Sequence, residues 1–237
     1  MPNPYFSFKQ FTVYHDQCAM KVGIDGVLLG VWAEIGSAKR ILDIGTGTGL
    51  IALMLAQRSE SHIVAIDIDE HAVLQARKNI CNSPWADRVE VFESSLQNFA
   101  TSSTPLFDLI VSNPPYFVNS QKAPSESRRV ARHADTLTHE ELIENAMKLL
   151  NSQGRLCIIL PVNEGLQCVK FALSCRLYCS KQVMVYPKPD VAAKRLLLEF
   201  SLQKTDTVIS ELTIETGERH HYSPEFSELA KDFYLKL

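Results

Sequence analysis

The sequence predicts an α/β fold: an open sheet of seven mostly parallel strands with helices on both faces. Three observations predict it. From residue 40 onward, short β-branched runs alternate with stretches of helical spacing. The clearest run, Phe107 to Ser112, is apolar but for Asp108 and Ser112, as expected of a strand covered on both faces. The turns between the repeated units are short, which favours parallel β-α units over hairpins.

The first strand runs from Arg40 to Ile44 and ends in the turn Asp43-Ile44-Gly45-Thr46-Gly47-Thr48-Gly49. A helix follows, with Leu50, Leu53, Met54 and Gln57 at helical spacing. His62 to Ile68 forms the second strand, and Val73, Leu74, Arg77 and Ile80 mark one face of a helix from Glu70 to about Cys81. Arg88 to Phe92 and Phe107 to Ser112 are the third and fourth strands. Thr138 and Glu141 stand in capping-box spacing at the head of a helix reaching Leu150. Gly154 precedes a strand from Arg155 to Leu160, and runs near 181–185 and 195–202 complete the sheet. One domain over 1–237 is expected, with an N-terminal extension at 1–38, a core at 39–205 and a C-terminal extension at 206–237.

Composition bounds the function. With 237 residues, 46% of them hydrophobic, the chain can bury one α/β core and lies far from disordered composition. A formal charge of -3 and a pI near 6.2 announce no bulk affinity for nucleic acid, so such a partner must be held by local patches. Two are present: Lys122, Arg128, Arg129 and Arg132 oppose only Glu126, and Arg176, Lys181, Lys188, Lys194 and Arg195 oppose only Asp190. Each lysine or arginine alone reads as solvated surface; as a pair beside a site they become candidate phosphate contacts. The cysteines at 18, 81, 157, 168, 175 and 179 form no Cys-x-x-Cys pair and no zinc spacing, and nothing requires a metal. No leader pattern or membrane-length apolar run occurs, so a cytoplasmic protein is expected.

The glycine turn narrows the ligand. A dinucleotide turn reads Gly-x-Gly-x-x-Gly, whereas Leu50 stands where the third glycine would fall. Asp43 before it would repel a pyrophosphate but can meet the ammonium of an amino-acid ligand, directly or through water. Asp67 at the tip of the second strand can accept both ribose hydroxyls, while Asp69 suits a helix cap. Together these features point to S-adenosylmethionine (SAM), with Gly45, Thr46, Gly47, Gly49 and Ile68 around it.

Asn113-Pro114-Pro115-Tyr116, after the fourth strand, supplies the chemistry. An aromatic amine delocalises its lone pair into the ring. It becomes nucleophilic when acceptors draw its hydrogens out of conjugation, and the Asn113 side-chain oxygen and Pro114 carbonyl can do so. Two prolines fix the loop, and Tyr116 or Phe117 can stack on a flat target. No general base is required. His15 and Lys21, polar in an apolar segment, are therefore assigned structural roles.

The glycine turn and Asn-Pro-Pro-Tyr resemble the class I SAM-dependent amino-group methyltransferases, a Rossmann-like family. His15-Asp16-Gln17-Cys18-Ala19-Met20-Lys21-Val22-Gly23-Ile24-Asp25-Gly26, Asn82-Ser83-Pro84-Trp85-Ala86, Tyr222-Ser223 and Phe233-Tyr234 extend the resemblance to the bacterial tRNA1(Val) adenine-N6 methyltransferase family over nearly the whole chain. That resemblance implies methylation of the adenosine beside the anticodon, position 37. The substrate would be a tRNA anticodon stem-loop gripped by Arg128, Arg129, Arg132, Lys188, Lys194 and Arg195, and the enzyme a monomer. It also implies that Asp25 lies near the SAM pocket. Two departures stand out: Ile24 where the family usually has Thr, and Ser94-Ser95-Leu96 where an Asp commonly meets the adenine of SAM, leaving Ser95 for that contact. The rivals are N-methylation of rRNA, DNA adenine or release-factor glutamine, a SAM-binding RNA chaperone, and a nicotinamide oxidoreductase. With only about forty residues before Asp43, a release-factor enzyme's helical domain has no room.

Overall fold

The strands alternate their side chains between two separate apolar layers, and this alternation explains why they are apolar throughout. In the computed structural model, which describes residues 3–17, 21–101, 105–115, 137–218 and 221–236, Ile41, Ile63, Ala65, Leu109 and Val111 face one layer. Leu42, Ile44, Val64, Ile66 and Ile110 face the other. Period two on strands buried on both faces leaves few polar positions to betray the pattern.

A hairpin of β1 (Tyr5–Ser7) and β2 (Thr12–Tyr14) comes first, followed by α1 (Ile24–Trp32). The repeating units are β3 (Arg40–Ile44), α2 (Leu50–Gln57), β4 (His62–Asp67), α3 (Glu70–Cys81), β5 (Val89–Glu93), α4 (Leu96–Thr101) and β6 (Phe107–Ser112). Then come α5 (His139–Leu149), β7 (Leu150–Pro161), α6 (Val162–Ser174), β8 (Tyr178–Tyr186), β9 (Arg195–Ser201), β10 (Val208–Thr213) and α7 (Pro224–Ala230). The expected capping box of Thr138 and Glu141 opens α5.

The sheet order is β10-β8-β9-β7-β6-β3-β4-β5, with β9 antiparallel to both neighbours and every other pair parallel. Among the described residues the main sheet therefore has eight strands, one more than expected. The eighth, β10, falls within the segment assigned as a C-terminal extension. It is an edge strand whose first four residues are exposed and only Leu212 is buried, so it carries almost no apolar signal. The N-terminal extension is likewise built into the core, where Phe8, Phe11, Val13 and six residues of α1 are buried. Because α1 covers α2, seven consecutive residues of α2 from Leu50 to Ala56 are buried, and no polar face is left for the sequence to show.

Asn79 of α3 joins the N-terminal hairpin to the glycine turn. Its carboxamide, 1% exposed, accepts from the Tyr14 N–H (3.0 Å) and donates to the carbonyls of Tyr14 and Thr48 (2.8 Å each). Removing it would orphan buried backbone groups on both segments. Asn79→Ala is expected to lower unfolding free energy by about 2–3 kcal/mol, read as a shift of the urea midpoint with an unchanged slope.

Candidate active site

The sheet order reverses between β3 and β6, since β4 and β5 lie to one side of β3 and β6 to the other. Their connections leave toward opposite faces and open a crevice at the carboxyl ends. Ile44 pairs with Ser112, and the Ser112 hydroxyl donates to the Ile44 carbonyl (2.9 Å). Gly45 and Asn113 consequently leave the sheet side by side. The crevice measures about 820 Å³ and is lined at its centre by Gly45, Gly47, Asp67, Asn113 and Pro114, a size suited to a small-molecule ligand.

The glycine turn hangs from β4, where the amides of Gly45 and Thr46 both donate to the Ile66 carbonyl (2.9 and 3.0 Å). Gly45 and Gly47 have φ of +68° and +56°, and a Cβ on either would meet nothing within 4 Å. Backbone conformation, rather than crowding within the protein, makes these positions glycine. Gly49 caps α2 at φ +81° and packs on Ala76 rather than on the cleft.

Asp43 lies beneath the turn, fully buried, and does not line the cleft. Its Oδ2 accepts from the Thr46 hydroxyl (2.6 Å) and the Ala52 amide (3.2 Å), fastening the turn to the first residues of α2. Among the described residues its Oδ1 has no hydrogen-bond partner. Burial pushes its pKa up to about 7 against those two hydrogen bonds, with the charge of Asp67 adding to the rise.

Asp67 is on the cleft wall. Its Oδ2 accepts from the Gly47 amide (2.8 Å) and its Oδ1 from the Asp69 amide (3.0 Å). Asp69 caps α3 through the His71 amide. Ile68 lines the same wall, more than half exposed. Ser95 lines it too, but its hydroxyl accepts from the Asn98 amide at the start of α4 (3.2 Å). Asp25, in the first turn of α1, faces the cleft and pairs with Arg195 (2.9 Å). That ion pair joins two residues that the sequence assigned to different ligands.

Tyr116, Phe117, Arg128, Arg129 and Arg132 lie outside the described residues. The second basic segment does not form one surface. Arg176 and Lys181 sit toward the amino end of β8, where Lys181 is paired with Glu34 and Glu199, because β8 runs the same way as β7. Lys188, Lys194 and Arg195 lie at the opposite end, the cleft end, between β8 and β9. A linear run of charge cannot show that a nine-residue strand separates its members. The His15 Nε2 lies 2.9 Å from the Asn3 carbonyl, whereas Lys21 lines the cleft.

Sequence reasoning missed Gly23, Gln97, Leu137 and Glu141, which also face the cleft. The capping-box signal at Thr138 and Glu141 located the head of α5 but not its neighbour across the crevice. Among the described residues, no group of three or more His, Cys, Asp or Glu could hold a metal, and no helix is long and apolar enough to cross a membrane.

A family model described as the methyltransferase small domain matches residues 26–174. The chain is 51% identical to a tRNA1(Val) (adenine(37)-N6)-methyltransferase of Parabacteroides distasonis and 52% identical to one of Phocaeicola vulgatus, each alignment covering both chains completely. To one of Pectobacterium carotovorum it is 46% identical over 97% of this chain and 93% of the relative. Among solved structures, a predicted O-methyltransferase of Agrobacterium tumefaciens matches at a TM-score of 0.69 and 20% identity, covering 88% of this chain and 96% of that one. The ribosomal protein L11 methylase of Lactobacillus delbrueckii subsp. bulgaricus matches at 0.56 and 16%, covering 80% and 83%. These structures bear out the Rossmann-like methyltransferase fold.

Asp43 makes stability depend on pH. Its folded pKa is raised to about 7 from the ordinary 3.8, so its contribution is fully present below pH 4 and is lost as pH rises through 7. The expected loss from this residue approaches about 4 kcal/mol. Asp43→Asn, whose oxygen can still accept from Thr46 and Ala52, should flatten the pH dependence of the unfolding free energy between pH 4 and 7 relative to the parent chain. Parallel profiles would refute the assignment.

Proposed function

The chain belongs to the tRNA1(Val) (adenine(37)-N6)-methyltransferase family, and on that footing we propose that its cleft methylates N6 of adenosine 37, 3′ to the anticodon of tRNA1(Val), using SAM. The observation that carries this reading is the position of Asn113-Pro114-Pro115, set beside the glycine turn by the Ile44–Ser112 pairing.

The residues present fit the cofactor. A carboxylate offers about four acceptor sites, and backbone amides occupy two on Asp67. The remaining capacity suits two ribose hydroxyls. Gly45 and Gly47 leave open space where side chains would stand, so a ligand can approach the backbone closely. Asp25 brings a carboxylate to the same cleft from α1, suited to the ammonium end. SAM, when bound there, supplies an electrophilic methyl group.

The rest of the chemistry is positioning. The Asn113 side-chain oxygen and the Pro114 carbonyl accept the two hydrogens of the adenine amine, which returns the lone pair to nitrogen. Pro114 and Pro115 hold their φ angles fixed, so the acceptors are oriented before substrate arrives. Tyr116 or Phe117 stacks on the target base. After transfer the nitrogen is acidic enough to lose its proton to water without a protein base.

A loop adenosine leaves its stack at little cost, which suits an anticodon loop. Lys188, Lys194 and Arg195 at the cleft end, with Arg128, Arg129 and Arg132, are assigned to the phosphates of the stem. The enzyme acts as a cytoplasmic monomer and needs no metal.

Transfer of labelled methyl from SAM to unmodified tRNA1(Val), beside the same tRNA with guanosine at position 37, tests the reading: the first is expected to accept methyl and the second not. Asn113→Ala should lower kcat about 10²–10³-fold while SAM affinity stays within about threefold. An undiminished rate would remove Asn113 from the chemistry. Reversing Lys188 and Lys194 to Glu should weaken tRNA binding about tenfold and flatten its salt dependence, with SAM binding untouched. Unchanged tRNA affinity would reject that surface.

A further inference from the structure

The cleft crosses the tips of β6, β3, β4 and β5 in that order. Asn113 stands at the tip of β6 and Asp67 at the tip of β4. A SAM ribose held at Asp67, with its reacting end toward Asn113, therefore leaves the adenine beyond Asp67, toward β5. There the wall consists of Ile68, Ser95, Leu96 and Gln97, joined by Glu141 from α5 and by Leu137 just before it. Helices α4 and α5 pack together and close that end.

An adenine ring presents an exocyclic amine with two hydrogens to donate, and a wall that leaves them unmatched loses affinity. Ser95 already accepts from the Asn98 amide. Besides Asp69, whose Oδ1 accepts from the His71 amide as a helix cap, Glu141 is the carboxylate on this wall among the described residues. The Thr138 amide (2.9 Å) and hydroxyl (3.0 Å) both meet its Oε2. Those contacts and the Gln97 side chain hold its carboxyl below the usual range, so it is ionised. Thr138 uses two of its four acceptor sites and the Gln97 side chain a third, which leaves one for a ligand hydrogen.

We propose that Glu141 accepts a hydrogen from the adenine amine of SAM, so that the residue closing the capping box of α5 also sets the enzyme's preference for an adenosyl cofactor. The capping role accounts for a Glu or Gln at this position, since either closes the box. It does not account for a carboxylate turned to the cleft beside a serine already engaged elsewhere. The inference rests on SAM being the cofactor.

The test compares binding of S-adenosylhomocysteine with that of its 6-deamino analogue, in which hydrogen replaces the amine, by titration calorimetry on the full chain. The parent is expected to prefer the amine-bearing ligand by about tenfold or more, the range for a hydrogen bond to a charged group. Glu141→Gln keeps the box, but its single oxygen is taken by Thr138 and its amide nitrogen cannot accept. The preference should fall to within about twofold. A purely structural Glu141 would move the thermal midpoint and leave the preference intact, which would overturn the proposal. So would loss of the preference in Gln97→Ala with retention in Glu141→Gln, since the Gln97 carbonyl would then be the acceptor. Failure of the parent to bind S-adenosylhomocysteine at all would instead refute the cofactor reading, and the inference with it.

Discussion

Everything at the site depends on the pairing of β3 with β6 at the point where strand order reverses. The Ile44–Ser112 register places the two departing loops side by side, and the Ser112 hydroxyl bridges the pair at the last position before they diverge. A one-residue slip in this register would turn Leu109 and Val111 from one apolar layer toward the other. The hydrophobic cores therefore specify the register, and the register specifies the distance between the glycine turn and the Asn113 loop. The geometry of the cleft is a consequence of core packing, which is why neither loop needs to be held by its own side chains alone.

The glycine turn shows the complementary constraint. Three left-handed glycines give a shape that the chain would not hold unaided, and the protein fixes it from three sides. The Ile66 carbonyl takes the amides of Gly45 and Thr46, Asp67 takes the amide of Gly47, and Asp43 takes the Thr46 hydroxyl from below. Asp43 is the costly member, because a carboxylate held away from water resists ionisation. Asn79 adds the fourth tie by gripping the Thr48 carbonyl while holding β2, so the N-terminal hairpin and the cofactor turn share one side chain.

Much of this was legible in the sequence. The strands β3, β4 and β6 announce themselves because each is centred on an apolar run, and Asp67 and Asn113 are readable because each stands at the end of such a strand. The capping box of α5 was readable because its two members are three residues apart. What the sequence did not disclose depends on contacts between distant segments. The edge strand β10 is mostly exposed, and α2 has no polar face because α1 covers it. Asp43 reads the same on a wall as beneath one. Arg195 resembles its basic neighbours until β9 sets it against Asp25, 170 positions away in the chain. Periodicity and spacing report what neighbours in sequence do, and these features are made by neighbours in space.

The distribution of charge along the cleft fits the chemistry. Asp67, Asp69 and Glu141 line the cleft at the proposed ribose and base sites, whereas the proposed reacting end presents a carboxamide and a proline carbonyl. Positive charge is present both before and after a methyl passes from a sulfonium to a neutral amine. A carboxylate beside the reacting nitrogen would stabilise ground and transition states to similar degrees, and uniform stabilisation of that kind does not raise the rate. A neutral acceptor that redirects the amine lone pair acts on the nitrogen alone. Placing the anions on the binding end and rigid neutral oxygens on the reacting end thus separates affinity from rate, and a loop built of two prolines keeps the second function independent of the first.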